Sequence, residues 1–198
     1  MAFISSGTTI LDNGAFSVGL GGQILISEQT ASSSASLSFT SGIDSTYDVY
    51  YFEFINIHPS NDAVAFQFNL STDGGSNYNV TKTTTFFRAL HDEADTNTSF
   101  GYSGAQDLAQ STAYQNLTDG TGNAGDECCS GTLQLFNPSS TTYVKHFMAT
   151  LNQYTYDNYT DNDNIAGYAN TTSAVNAVSF KFSSGNIDDG IIKMYGVK

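Results

Sequence analysis

The sequence predicts an all-β chain, a two-sheet antiparallel β-sandwich of jelly-roll type, and three observations predict it. The apolar content is carried by 14 Phe and 12 Tyr with no Trp, and aromatic rings favour strands because their flat bodies pack against cross-strand neighbours. Only 13% of the residues are charged, whereas long surface helices are rich in Glu, Lys and Arg. Short segments that alternate apolar and polar residues recur between turn residues all along the chain.

At 198 residues one sandwich spans 1–198, with a short N-terminal arm over about residues 1–10. A chain of this size buries roughly two-thirds of its unfolded surface. The core therefore needs neither a metal nor a disulfide. Gly7, Gly14, Gly19, Gly21 and Gly22 exclude a helix at the start, and short strands are expected over Ala15 to Leu20 and Gln23 to Ser27. After a polar run, Leu37 and Phe39 share one strand face. Tyr47 to Ile57 is the strongest strand. Tyr50, Phe52 and Phe54 hold one parity, and Val49, Tyr51, Ile55 and Ile57 the other, so it is expected to be central and covered on both sides.

Ala63 to Leu70 has the cleanest period of two, with Val64, Phe66, Phe68 and Leu70 pointing inward. Asp73-Gly74-Gly75 is a turn, and Tyr78 to Phe87, extending to Leu90, is a Thr-rich strand. Residues 91–112 read as a long polar loop, with a helical turn expected near Gln106 to Gln110. Ala113 to Thr118 is a further strand, and 119–130 a second loop. Gly131 to Phe136 and Tyr143 to Leu151 are strands, the latter with Tyr143, Lys145, Phe147, Ala149 and Leu151 on one side. A third polar loop is expected over 152–164. Ile165 to Thr171, Ala174 to Phe182 and Gly190 to Val197 complete about ten strands. No fixed period recurs, which excludes a propeller or solenoid.

The net charge is −13, from 19 acidic and 6 basic residues. So few cations leave no basic patch, which excludes nucleic acid and anionic membrane surfaces as partners. Met1 to Ile10 has neither a basic start nor a long apolar run, so no secretory leader is expected. Asn-X-Ser/Thr triplets begin at Asn69, Asn79, Asn97, Asn116, Asn158 and Asn170, as chance allows in such a composition. Cys128 and Cys129 are adjacent, and neighbouring Cα atoms lie at about 3.8 Å, closer than a disulfide ordinarily allows. They read as two free thiols at a strand start.

Chemistry-bearing patterns are sparse. His58, His91 and His146 stand apart, without the spacing of a metalloenzyme helix. His146 reads as a packed or hydrogen-bonded sheet residue, and His91 as part of a solvated acidic loop with Asp92, Glu93 and Asp95. Asp157, Asp161 and Asp163 share the loop 152–164 with Asn158, Asn162 and Asn164, a donor set calcium favours, yet the glycine and glutamate of an EF-hand are missing. No nucleophile elbow or phosphate-binding loop occurs. The expectation is therefore no catalytic residue, no cofactor and no metal. Exposed rings in loops are the remaining candidates. Tyr102, Tyr154, Tyr156 and Tyr159 suit either a subunit interface, where Tyr is enriched, or a platform on which sugars stack. Phe3 and Ile4, apolar in a Gly- and Ser-rich arm, suit burial on a neighbouring subunit.

Four stretches resemble a group of small, uncharacterised structural proteins from the particles of marine tailed bacteriophages. They are Met1-Ala-Phe-Ile-Ser-Ser-Gly7; Tyr51-Phe-Glu-Phe-Ile-Asn-Ile-His-Pro59; Leu135-Phe-Asn-Pro-Ser139 with Lys145-His-Phe147; and Ile192-Lys-Met-Tyr-Gly-Val-Lys198 after the turn Ser183-Ser-Gly-Asn-Ile187. The similarity extends over nearly the whole chain. It implies a virion component made in the host cytoplasm, and it carries no catalytic residue or cofactor. An acidic surface disfavours packaged DNA and points to the particle exterior. The expectation is a capsid decoration or cement subunit, a homo-oligomer such as a trimer, contacting the major capsid protein. The alternative is a tail-tip or fibre head domain, or a lectin-like module, that binds host surface carbohydrate through the loop tyrosines.

Overall fold

In the computed structural model residues 22–198 are described in full. Of the first 21 residues only the backbone of three short strands is described: β1 (Phe3–Ser5), β2 (Thr8–Asp12) and β3 (Ala15–Phe16), which form a small antiparallel sheet. The side chains of Phe3 and Ile4, and the expected strand beyond Phe16, lie outside the described residues.

The other strands are β4 (Ile24–Thr30), β5 (Leu37–Phe39), β6 (Val49–Pro59), β7 (Phe66–Ser71), β8 (Lys82–Asp92) and β9 (Thr98–Tyr102). They continue with β10 (Gln115–Asn116), β11 (Cys129–Phe136), β12 (Lys145–Tyr154), β13 (Tyr159–Ala169), β14 (Ala177–Phe182) and β15 (Ile187–Val197). There is no helix among the described residues, hence none long and apolar enough to cross a membrane.

Two antiparallel sheets face each other, as the composition predicts. The smaller has the order β10-β7-β14-β5, and the larger β4-β15-β6-β11-β12-β13-β8-β9. The chain alternates between them: β4, β6, β11 and β15 lie in the large sheet, and β5, β7, β10 and β14 in the small one. The β8-β9 and β12-β13 hairpins extend the large sheet beyond the width of the small one.

Phenylalanines fill the space between the sheets. Phe180 of β14 meets Phe52 and Phe54 of β6 edge-on, with ring centroids at 5.3 and 5.1 Å. Phe54 also meets Phe66 at 5.3 Å, and Phe68 meets Phe147 of β12 at 5.0 Å. Edge-to-face pairs of this kind add about 0.5–1.5 kcal/mol each beyond area burial. The central position of β6 agrees with its two apolar faces, but only the row of Tyr50, Phe52 and Phe54 is fully buried. The opposite row (Val49, Tyr51, Glu53, Ile55) is half-buried, with no second layer over it among the described residues.

A bulge crosses the large sheet. Asn56 takes a left-handed φ of 50°, its N–H donates to Ser130 Oγ at 2.9 Å, and Ile57 returns to the buried face one residue out of phase. The pairing of β6 with β15 also slips between Asp189 and Ile191, where Gly190 has a φ of 123°.

The loops depart most from expectation. Residues 152–164 form a hairpin and not a loop: the end of β12, a turn over 155–158 and the first part of β13. The expected loop 91–112 contains β9, and no helix forms near Gln106; a single bond from its N–H to Ser103 O marks a turn. The strand expected over Ala113 to Thr118 shrinks to Gln115–Asn116. Cys128 and Cys129 are free thiols at the start of β11. His146 is exposed rather than packed in, its ring tilted against Tyr168 at 6.2 Å.

Candidate functional site

The two faces of the extension differ sharply in chemistry. On the inner face β12 and β13 pass from apolar to polar residues, and β8 is mixed along its length. β13 runs from Ala169, Gly167 and Ile165 to Asp163 and Asp161, while β12 runs from Phe147, Ala149 and Leu151 to Gln153. On β8 the same face runs from Thr84 and Phe86 to Arg88 and Leu90. The small sheet does not reach these polar ends. The segment 117–122 covers them, held by hydrogen bonds from Leu117 N to Phe66 O, Thr121 N to Val64 O and Gly122 N to Tyr154 O. That segment carries Asp119 into the interior.

One carboxylate oxygen from each of Asp119, Asp161 and Asp163 lies within 4.8 Å of the others. Arg88 Nη1 pairs with Asp119 and, at 3.1 Å, with Asp161 Oδ2. Gln153 Nε2 donates to Asp163 Oδ2 at 2.9 Å and to Asp119 Oδ1 at 3.1 Å. The oxygen of the same carboxamide accepts from Thr121 Oγ1 at 3.0 Å, which fixes its orientation. Asp161 Oδ1 and Asp163 Oδ1 are buried and have no hydrogen-bond partner among the described residues. Burial, reinforced by the neighbouring carboxylates, pushes the pKa of Asp163 up to about 9. Burial also lifts Asp161 to about 6, against the pull of Arg88. Cys129, fully buried close by, has its thiol pushed well up by burial and is inert as a nucleophile.

Above the cluster is an open pocket of about 300 Å³, whose lining includes Arg88, Asp119, Asp161, Asp157, Tyr156 and Tyr159. The predicted tyrosines do not form one platform. Tyr156 and Tyr159 line this pocket, with Tyr159 Oη accepting from Asn97 Nδ2 at 3.1 Å. Tyr154 takes the opposite parity on β12 and donates to Glu93 Oε1 at 2.9 Å, in a neighbouring, more open depression lined also by His91 and Tyr159, so that Tyr159 stands between Tyr154 and Tyr156. Tyr102 lies at the far end of β9, paired with Phe87 and bonded to Asp107.

The outer face of the extension carries no Asp, Glu, Lys or Arg among the described residues. The strand registers place Phe87, Thr85 and Thr83 beside Asn164, Ala166 and Tyr168, then Thr150, Met148 and His146, then Thr132, Gln134 and Phe136. Phe100 and Tyr102 continue this face onto β9, and Phe87 meets Phe100 edge-on at 5.9 Å. Phe100 is 76% exposed, Tyr102 59% and Met148 57%. The first charge met across the strands is Glu53 of β6, opposite Thr132.

Asp119, Arg88 and Gln153 escape a reading of the sequence because they sit on three separate segments. The spacing of Asp161 and Asp163, two apart within one strand, is the signal that could find the cluster, once the segment is read as a strand. The chain matches no protein-family model, no curated protein and no solved structure.

Proposed function

We propose that this chain is a non-enzymatic structural subunit that assembles with copies of itself and with other proteins, on the exterior of a bacterial virus particle. In that setting it decorates or cements the capsid. The observation that carries the assembly reading is the uncharged outer face of the extended sheet, with Phe87, Phe100, Met148 and Tyr168 on it. Each copy bears a net charge of −13, so copies repel one another. They can approach closely only over a surface free of charge, and charge depletion with aromatic and Met enrichment marks the cores of interfaces.

The placement of the cations supports a role away from nucleic acid. Of the 6 basic residues, Lys82 and Lys145 are buried, Arg88 and Lys193 are paired with acids, Lys181 lies over the Tyr114 ring, and Lys198 is exposed. The alternation of β4 to β7, β10, β11, β14 and β15 between the two sheets supports reading the sandwich as a jelly roll with an extended sheet, an architecture found in capsid and lectin domains alike. The virion setting rests on the resemblance of the four terminal and strand stretches, since fold alone does not decide function. A non-enzymatic role fits the way Arg88 and Gln153 tie the acidic cluster into the fold.

A second reading is favoured by the pocket where Tyr156 and Tyr159 flank Asp157: a tail-tip, fibre-head or lectin-like module that binds host carbohydrate. Two experiments separate the readings. Sedimentation of the intact chain is expected to show a concentration-dependent closed oligomer that Met148→Glu abolishes, with unfolding unchanged. Electron cryo-microscopy of particles carrying the protein is expected to place it at regular positions over the shell. A monomer at all concentrations would sink the assembly reading. Density confined to tail tips, or glycan binding lost in Tyr156→Ala, would move the function to host attachment.

A further inference from the structure

We propose that Asp119, Asp161 and Asp163 bind one hard divalent cation of the calcium class, which clamps the covering segment 117–122 onto the extended sheet. Three carboxylates converge within 4.8 Å against a single guanidinium, so the cluster lacks positive charge. The lack is localised on named atoms: Asp161 Oδ1 and Asp163 Oδ1 are buried and unpartnered among the described residues, on residues only 1% and 0% exposed. A buried carboxylate oxygen without a partner is costly, and buried charges are normally paired or coordinate a metal.

Arg88 cannot meet this need, because its bonds go to Oδ2 of Asp119 and Oδ2 of Asp161. Gln153 likewise takes Oδ2 of Asp163 and leaves Oδ1 bare. The donors are oxygens, which suits calcium, magnesium or manganese. The one sulfur close by, Cys129, is held as a thiol by burial and offers nothing to a softer ion. The pocket above includes Asp119 and Asp161 in its wall, which gives an ion a route in and leaves room for water as further ligands.

The cation would join groups far apart in sequence, Asp119 on the covering segment and Asp161 and Asp163 on β13, where Arg88 and Gln153 already bridge them. The alternative occupant is the proton, and the test separates the two. The intact chain, stripped with a chelator and dialysed, is titrated with CaCl2 by calorimetry, and its thermal unfolding is followed in parallel. The expected result is one equivalent of calcium and a Tm rise of about 5–10 °C at a hundredfold excess over Kd.

Asp163→Asn should abolish both the heat and the Tm rise. In chelator it should unfold at or above the parent's temperature, since a buried carboxylate has been neutralised. Asp188→Asn, on an exposed acid, should leave both signals intact. If Asp163→Asn fails to fold, Asp161→Asn is read in the same way. The proposal is overturned if calcium up to about 10 mM, beyond the range of weak extracellular sites, gives neither heat nor a Tm rise. It is overturned equally if one-site binding survives in the Asp variants.

Discussion

Lys82 and Asn69 meet inside the sandwich, with Lys82 Nζ donating to Asn69 Oδ1 at 2.5 Å and to Val80 O at 2.9 Å. Both partners are acceptors, so a neutral amine, with two N–H groups, satisfies them as fully as an ammonium does. Burial lowers the pKa of Lys82 to about 7. The unfolded chain, with Lys near 10.4, therefore binds more protons than the folded one between pH 7 and 10. Stability contributed by this residue rises with pH across that window and is flat below it.

Comparison with Lys82→Met isolates the effect, because Asp161 and Asp163, whose raised pKa values act in the opposite direction, are common to both proteins. The stability of the parent relative to Lys82→Met should climb between pH 7 and 10, by at most about 1.4 kcal/mol per pH unit. Urea unfolding at half-unit pH steps reads it out. A difference independent of pH would mean that Lys82 stays charged in the fold.

Gly190 sits where the bulge crosses the large sheet. A Cβ built on it would stand 2.7 Å from Asn56 O and 2.9 Å from Ile57 Cα, and its φ of +123° is one that L-residues rarely adopt. Both obstacles are backbone, so neither can be relieved by a rotamer change. Gly190→Ala should destabilise by about 2–3 kcal/mol. Gly125, around which nothing lies within 4 Å, should tolerate Ala with a change within about 0.5 kcal/mol. Denaturant midpoints of the two variants, compared side by side, check the contrast.

Phe180 touches rings from both sheets: Phe39 and Phe66 beside it, and Phe52 and Phe54 opposite. Phe180→Ala should lose about 3–5 kcal/mol. Phe100→Ser, on a ring 76% exposed, should leave the monomer's unfolding midpoint within about 0.5 kcal/mol. It should nevertheless weaken self-association if the outer face is the contact surface. Chemical denaturation and sedimentation of the same two preparations separate folding from assembly.

The fold was legible wherever inward rows are apolar. Tyr50, Phe52 and Phe54 mark β6, and Phe66 and Phe68 mark β7, because each strand buries one parity against the other sheet. It was illegible where the buried row is polar. Asp161 and Asp163 alternate with Thr160, Asn162 and Asn164, so hydropathy shows no period, and the segment passes for a solvated loop although five Cα pairs tie it to β12. Thr98–Tyr102 was missed for another reason: all five residues are exposed on an edge strand, and only backbone pairing to β8 defines it. Of the candidate site, Asp161 and Asp163 were legible as cation donors and Tyr156 and Tyr159 as exposed rings, but Asp157 was read in the place that Asp119 takes. Asp119 reaches Asp161 only because two sheets of unequal width leave an end for segment 117–122 to cover.

Arg88 ties that cover to the sheet through Asp119 and Asp161, and its side chain is about one-third exposed while theirs are 10% and 2% exposed. Removing the guanidinium leaves buried carboxylates uncompensated, which costs far more than the pair itself contributes. In chelator, Arg88→Met should therefore destabilise by about 3 kcal/mol, while Asp161→Asn alone should cost less. Adding Asp161→Asn to Arg88→Met should restore part of the loss, because a neutral carboxamide needs no counter-charge. A double-mutant cycle by urea unfolding at pH 7 measures the coupling, expected at 1 kcal/mol or more. Strict additivity of the two substitutions would show that the ion pair is a surface contact and that the cover is held by Gln153 and the backbone alone.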